Sequence, residues 1–509
     1  MQRLLFGIVM TMPACAVGPD YVRPQVAVNA NWSEYSDPRI KAAKEVDTAW
    51  WTTFSDPTLD SLIEASHHQN LTLQVAALRI FEARAQYGVA VGNQWPQRIG
   101  PSAKVTANRL TDQAAEAAGL DRTFLSYDVG FDAVWELDIW GKYRRGARAA
   151  HADYLATVAD YEAALVSLTG EVARTYVLIR TYETLIALAR DNAAIQEDAL
   201  TIAEARFKNG ATSELDVSQQ TALLETTRAQ IPELEIKLRQ TQNALSTLLG
   251  RPPGQVEQLL EGPHGIPVPP KEIGVGVPAE VLRRRPDIRA AELRAMAQCD
   301  RIGVAKAELY PSFTLFGTIG TQGLSSGATR AGVSAPSLFG PGSFVYNAGG
   351  SLFWPILNYK RLQNNVRIED ARFQQSLTEY MQTVLSAAQE VEDGMIGMLR
   401  EQDSAVFAQN AVNAAQNAVK VSLVQYREGA VDYQRVLDAQ RILLDSQNRL
   451  ANTQSAAATN TIALYKALGG GWQVRRAPLV PDATRREMQD RTRWGHGLDE
   501  TPASPPAGK

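Results

Sequence analysis

The sequence predicts a mixed fold in which long α-helices and a few short β-strands form one structural unit that occurs twice. One observation is an internal repeat, because the segment Phe207–Ala211 recurs about 219 residues later as Tyr426–Ala430. The others are very long segments without proline and short segments in which apolar and polar residues alternate. We therefore predict repeat 1 at 58–262 and repeat 2 at 278–468, each with a helix, two strands, a long helix and a short helix.

The composition is mildly acidic and gives no sign of a nucleic-acid partner. The net charge is −4 and charged residues make up 21% of the chain, whereas a nucleic-acid-binding face needs a concentrated basic patch. No internal stretch approaches the roughly 20 consecutive apolar residues of a membrane-spanning helix. This does not exclude a membrane β-barrel, whose signal per strand is much weaker.

The first residues have the pattern of an export signal. A positive charge and a short apolar core precede Ala14 and Cys15. We predict a signal peptide at 1–14 and a lipidated N-terminal segment at 15–57, with the lipid on Cys15 because this residue lies at the cleavage point. The chain has one other cysteine, Cys299, so a disulfide between the two is the alternative. If Cys15 carries a lipid, Cys299 is a free, buried thiol.

Two segments predict exceptionally long helices, Gly141–Lys208 and Tyr359–Glu428, since neither contains proline. At 1.5 Å per residue, each helix is about 100 Å long. The other helices are about half that length, so two short helices laid end to end match one long helix. Their predicted bounds are Thr58–Gln94, Ser213–Leu249, Pro278–Glu308 and Asp432–Ala467. This arrangement favours a tapering cylinder wall, and the alternative is a periplasmic coiled-coil scaffold without a lumen.

Four short segments are predicted as strands, at about 103–110, 125–135, 313–320 and 344–354. The clearest of them, 125–135, has the length that crosses a bilayer when tilted. Four strands leave open edges, which hydrocarbon does not tolerate, so a membrane barrel requires several chains. Eight strands from two chains would be filled by their own side chains, whereas twelve strands from three chains leave a lumen. The alternative is a soluble antiparallel sheet.

No motif in the sequence indicates catalysis or a metal site. A glycine-rich phosphate-binding segment of the nucleotide-hydrolysing type is absent, and the five histidines lack metal-ligand spacing. One Gly-x-Ser-x-Gly match, Gly323–Gly327, lies in a glycine- and serine-rich loop rather than at a strand-to-helix turn. We predict that the protein is not an enzyme and has no cofactor apart from the lipid on Cys15.

Four segments together resemble a known family. They are Cys15–Pro24, Trp50–Pro57, Leu282–Arg289 with its continuation to Pro311, and Val436–Arg441. In this combination the chain is similar to the TolC-like outer-membrane efflux proteins, in particular the lipoprotein branch that serves resistance-nodulation-division pumps. The likeness runs from Cys15 to about Leu468. Residues 469–509 lie outside it and are predicted as a disordered tail.

This resemblance implies a homotrimer with a transmembrane β-barrel in the outer membrane and a long α-helical barrel in the periplasm. It implies a lipid-anchored exit duct that receives small molecules or drugs from an inner-membrane pump through a periplasmic adaptor. The turns at Gly210 and Gly429 are the tips that would dock the adaptor. The alternative within transport is the outer-membrane component of type I protein secretion.

The resemblance also implies a periplasmic gate near these tips, where Asp438 would line the constriction and Asp216 would help to hold it shut. The candidate gate residues are Asp438, Asp216, Asp432, Arg435 and Arg427. Our hypothesis is that Asp216 and Asp432 pair with Arg427 or Arg435 between neighbouring helices, while Asp438 lines the lumen. The alternative is that all five are ordinary exposed charges, each contributing little to stability.

Overall fold

The computed structural model describes residues 16–42, 48–261, 265–325, 337–474 and 478–499. The predicted signal peptide and Cys15 lie outside these ranges. The chain begins with β1 (Ile40–Ala42) and a short 3-10 helix (Trp50–Phe54). Repeat 1 follows with α1 (Pro57–Gln69), α2 (Leu71–Gly92), β2 (Arg98–Arg109), α3 (Asp112–Ala118), β3 (Thr123–Glu136), α4 (Lys142–Lys208) and α5 (Glu214–Leu248).

Repeat 2 has the order of repeat 1, except that it begins with the short strand β4 and that α3 belongs to repeat 1. It contains β4 (Ile273–Val275), α6 (Pro278–Arg284), α7 (Pro286–Ala307), β5 (Ser312–Leu324), β6 (Phe344–Phe353), α8 (Tyr359–Arg427) and α9 (Tyr433–Ala467). The long helices α4 and α8 have 67 and 69 residues, and their ends lie within one residue of the sequence prediction.

Each predicted helix before the strands is broken into two, at Asn70 in repeat 1 and at Arg285 in repeat 2. Asn70 has an extended backbone, and its Oδ1 accepts a hydrogen bond of 2.7 Å from the backbone N–H of Leu73, which caps α2. Arg285 precedes Pro286, and a residue before proline is disfavoured in the helical conformation. The sequence prediction of continuous helices is therefore wrong at these two positions.

These breaks are the points at which short helices meet end to end. In repeat 1, Asn70 Nδ2 donates to the carbonyl of Leu248, the last residue of α5, at 2.9 Å. In repeat 2, Arg285 Nη1 donates to the carbonyl of Ala467, the last residue of α9, at 2.8 Å. Both contacts satisfy carbonyls that a helix end leaves without an intrahelical partner. The predicted end-to-end arrangement of short helices is thus present in both repeats.

The two repeats contribute two strands each to one antiparallel sheet, with the order β2-β3-β5-β6. The central pair joins the repeats, since Phe131 of β3 lies opposite Ile319 of β5. Strand β2 begins five residues before the predicted start at 103 and includes Pro101. Within one chain β2 is an outer strand of the sheet, a position in which proline is tolerated.

The chain divides into two units. The sheet unit comprises the described residues among 16–24, 82–156 and 292–379, and the helical unit comprises those among 25–81, 157–291 and 380–499. Within the described ranges, every helix is too short or too polar to serve as a transmembrane segment.

The tryptophan-rich segment before α1 is buried in the helical unit. Trp50 is 1% exposed and stacks on Tyr465 with ring centroids 5.3 Å apart. Nearby, Arg180 is fully buried and donates to the Tyr176 hydroxyl at 3.1 Å, while that hydroxyl donates to Asp56 at 2.7 Å. Burial raises the pKa of Tyr176 to about 12. This motif of the sequence is therefore structural.

The segment after α9 differs from the sequence prediction of a disordered tail. Residues 478–499 form a helix, α10 (Asp482–Thr492), and a 3-10 turn, while 475–477 and 500–509 lie outside the described residues. Leu479, Val480 and Leu498 are 3%, 1% and 5% exposed, so three apolar side chains anchor an otherwise highly charged segment. The charges of α10 dominate its composition, and they concealed this anchor in the sequence.

Candidate functional site

The four-stranded sheet has one strongly apolar face that is open to the surroundings. Apolar side chains from all four strands lie on this face. The strand register places them on the same side, because directly paired residues in antiparallel strands point the same way. Eight of them are between 45% and 77% exposed: Ile99, Val105, Phe131, Leu315, Ile319, Phe344, Tyr346 and Leu352. An exposed apolar surface of this extent marks an interaction with a membrane or another protein.

The opposite face of the sheet is mostly polar. Asp132 accepts a hydrogen bond from Thr318 Oγ1 at 2.8 Å, and Asp128 accepts one from Gln322 Nε2 at 2.8 Å. Lys104 on β2 lies opposite Asp128. A sheet with one apolar face and one polar face is typical of the wall of a transmembrane β-barrel, in which the apolar face meets lipid.

Three tryptophans lie where the strands meet the helices. Each indole N–H donates to a backbone carbonyl: Trp135 to Gln94 at 3.3 Å, Trp140 to Pro311 at 2.8 Å, and Trp354 to Leu309 at 3.1 Å. Tryptophans whose polar N–H is satisfied at one end of an apolar face are typical of the aromatic girdle at a membrane interface.

The turns after the two long helices have the same geometry. Gly210 and Gly429 have φ of 68° and 75°, in the left-handed region that favours glycine. Ala211 N–H donates to the Arg206 carbonyl at 2.8 Å, and Ala430 N–H donates to the Gln425 carbonyl at 2.8 Å. This pattern is a Schellman motif, so the repeated sequence corresponds to two matching tips.

The predicted gate aspartates make local contacts within the chain. Asp216, in the first turn of α5, is half-buried and accepts a hydrogen bond from Thr212 Oγ1. Asp438 is exposed, accepts a hydrogen bond from Gln434 Nε2 at 2.9 Å and lies 3.9 Å from Arg441.

Among the residues that the structure describes, the predicted ion pairs of the gate do not form within one chain. Asp432, Arg427 and Arg435 are all exposed. Asp432 is the N-cap residue of α9, and its carboxylate accepts no capping hydrogen bond from the backbone of that helix. In the described part of the chain, neither Asp216 nor Asp432 forms an ion pair with Arg427 or Arg435.

Sequence reasoning missed Arg206, which joins the two tips. Its Nη1 donates to the carbonyls of Tyr426 at 2.6 Å and Arg427 at 3.3 Å, and the guanidinium lies 4.6 Å from the Tyr426 ring. Tyr426 in turn packs against Tyr433, with ring centroids 4.8 Å apart. Burial raises the pKa of Tyr433, with further contributions from Tyr426 and Asp216. A basic residue in the last turn of α4 was the available signal.

The structure offers no metal centre among the residues it describes. His67 is half-buried and lies 2.8 Å from the Thr169 hydroxyl. Burial lowers the pKa of His67 to about 4, so this histidine is neutral at pH 7. Its role is packing.

The chain is similar to known proteins. A family model described as "Outer membrane efflux protein" matches it twice, at 62–251 and 277–470. The cation efflux system protein CusC of Escherichia coli is 30% identical over 471 residues, covering 92% of this chain and 98% of that protein. The outer membrane protein OprJ of Pseudomonas aeruginosa is 32% identical over 430 residues, covering 80% of this chain and 84% of that protein.

Solved structures show the same relationship. The structure of the outer-membrane channel OprN matches with a TM-score of 0.82 and 30% identity, covering 90% of this chain and 100% of that chain. The two ranges of the family match fall in the two structural repeats. The chain therefore belongs to the outer membrane efflux protein family and is an outer-membrane efflux channel, not an enzyme.

Proposed function

We propose that three copies of this chain form one channel, through which small molecules handed over by a periplasmic adaptor and an inner-membrane pump leave across the outer membrane. The observation that carries this proposal is the sheet. Its exposed apolar face suits lipid, and its outer strands β2 and β6 have no partner strand among the described residues.

The number of copies follows from the geometry of barrels. Backbone groups at an open edge cannot stay unpaired in hydrocarbon, so β2 of one chain must pair with β6 of the next. Three chains of four strands give twelve strands. A barrel of eight strands is filled by side chains, whereas a larger one encloses an aqueous passage lined by the polar face.

Purification from membranes tests this proposal. We expect native mass spectrometry to give a mass of three chains, and planar lipid bilayers to show discrete conductance steps. The trimer should run as a single band on gels without heating and as a monomer after heating. A monomer or dimer that makes no pores in bilayers would contradict the proposal.

We further propose that charged residues at the tips control the periplasmic entrance. Asp216 and Asp432 pair with Arg427 or Arg435 of the adjoining chain, and Asp438 lines the lumen. This is supported by the exposure of four of these five side chains and by the lack of such pairs within one chain across the described residues. Carboxylates that ring a constriction favour cations.

Single-channel recording tests the gate. Asp216→Ala and Arg435→Ala are each expected to raise the conductance, because either change removes one partner of a closing pair. Asp438→Asn should instead reduce cation selectivity. Glu225→Ala is the control, since Glu225 forms only a surface pair with Arg228 further along α5. Unchanged conductance and antibiotic leakage in the first two variants would exclude this gate.

A lipid on Cys15 and docking of the adaptor at the Gly210 and Gly429 turns complete the proposed function. Mass spectrometry of the N-terminal peptide tests the lipid. The sheet and the lipid would then attach the chain to the membrane together. Two attachments are stronger than one, because a single acyl chain gives only weak anchoring.

A further inference from the structure

The described chain begins with a segment that lies on the sheet unit. We call residues 16–24 the N-terminal strap. Val17 N–H donates to the Trp140 carbonyl at 3.1 Å, which holds the start of the strap at the corner between β3 and α4. Trp140 itself stacks on Tyr310, with ring centroids 4.7 Å apart. The strap therefore starts at the level of the tryptophans that end the apolar face.

A buried arginine holds the middle of the strap. Arg145 on α4 is 3% exposed, and its Nη1 donates to the Pro19 carbonyl and to Asp300 on α7, both at 2.9 Å. Its Nη2 donates to Asp20 at 3.1 Å and to the Gly18 carbonyl at 3.4 Å. One guanidinium thus joins the strap to two helices.

Two glycines allow the strap to lie this close. Gly18 has φ of 114°, and a Cβ on it would lie 2.6 Å from the Cα of Gly303 on α7. A Cβ on Gly303 would overlap the Arg145 side chain and lie 2.9 Å from the Val17 carbonyl oxygen. Any side chain at Gly303 must therefore push the strap or Arg145 away.

The far end of the strap is also fixed. Arg23 donates to both carboxylate oxygens of Glu292 at 2.5 and 2.6 Å. Two parallel hydrogen bonds of this kind define an orientation as well as a distance. The strap is attached at its start, middle and end.

We propose that Arg145 is a positioning residue that clamps the N-terminal strap, so that the N-terminus leaves the protein beside the sheet at the membrane interface. The attachment of a lipid there rests on the proposed function, whereas the clamp rests only on described residues. A free strap of nine residues would reach roughly 30 Å. With the clamp, the lipid chains enter the bilayer at a fixed place and depth.

Cys299 provides a native reporter for the clamp. Its Sγ lies 3.6 Å from the Pro19 carbonyl oxygen, and the residue is 1% exposed under the strap. Burial raises the pKa of this thiol, which lowers its reactivity further. The sequence contains one other cysteine, Cys15, and a lipid on its thiol prevents it from reacting with a thiol reagent.

The test is the rate at which a maleimide labels Cys299 in the full chain in membranes. We expect slow labelling of the wild type and labelling about tenfold faster or more in Gly303→Ala and Arg145→Gln, because the strap opens locally. Gly146→Ala is the matched control, since a Cβ there meets nothing within 4 Å. Asp20→Ala, which removes one exposed partner of Arg145, should give an intermediate rate. Rates equal to the wild type in Gly303→Ala and Arg145→Gln would overturn the clamp.

Two further measurements separate the clamp from folding and from the lipid. Gel migration without heating must show that each labelled variant is still assembled. Cys15→Ser removes the lipid and should leave Cys299 protected, whereas fast labelling there would contradict a clamp that acts through Arg145.

The position of the N-terminus is read directly. A fluorophore on Val17→Cys in a Cys299→Ser background should be quenched by nitroxides on lipid headgroups, and Gly303→Ala should weaken that quenching. Equal quenching with and without Gly303→Ala would contradict the positioning role.

Discussion

Ile319→Lys is expected to prevent assembly of the channel in the outer membrane. Ile319 lies near the middle of β5, is 54% exposed and is flanked on the apolar face by Phe131 and Tyr346. A lysine on the lipid face near the bilayer midplane costs roughly 2–4 kcal/mol, and a trimer would carry three of them. The amount of heat-sensitive trimer recovered from outer-membrane fractions measures the effect.

Thr318→Lys is the matched control for this substitution. Thr318 is the preceding residue on the same strand, but its side chain lies on the polar face and hydrogen-bonds Asp132 at 2.8 Å. A lysine there faces water and an opposite charge, so we expect normal recovery of trimer. Equal losses in both variants would show that the two faces are not lipid and lumen.

Arg285→Ala is expected to destabilise the helical unit by roughly 3 kcal/mol, the cost of losing a hydrogen bond from a charged donor and leaving a helix end unpaired. Arg285 is 7% exposed, holds the last carbonyl of α9 and also bonds Asp287 and Glu390, each at 2.7 Å. The two carboxylates are partly exposed, so their ion pairs add less. The midpoint of thermal unfolding in detergent reports the change.

The neighbouring Arg284→Ala tests whether position rather than charge explains this effect. Arg284 is exposed at the end of α6, and we expect a change below about 0.5 kcal/mol. If both variants unfold at the same temperature, the junction at the end of α9 does not depend on Arg285. Arg285 would then have another role in the Leu282–Arg289 segment.

Much of the fold could be predicted because residues close together in the sequence determine it. The long helices α4 and α8 were predicted to within one residue, since a run without proline leaves helix as the favoured state. The break at Asn70 was missed because asparagine occurs inside helices as well as at their caps, so its identity alone does not mark a helix boundary. Helix α3 was also missed. It ends at Gly119, whose backbone is in the left-handed region, but it lies between two strands in a segment that was not predicted as a helix.

The candidate site was predictable in kind but not in detail. Alternation along β3 indicated a two-faced strand, yet only the register shows that Phe131 lies beside Ile319 of the other repeat. Arg206 was missed because its partners are backbone carbonyls far away in sequence, and Arg145 was missed because its partners on the strap and on α7 are also distant. Every residue has a backbone carbonyl, and an acceptor that is distant in sequence gives no local pattern. Neither contact can therefore be recognised from the sequence.

By itself, the sequence determined the duplication, the long helices, the existence of the strands and the family. All of these depend on interactions between residues close in the chain or on recurring segments. Only the tertiary structure decided which strands pair, where short helices meet and how the strap is held. Those features depend on contacts between distant residues, whose free energies are set by shape and distance rather than by local pattern.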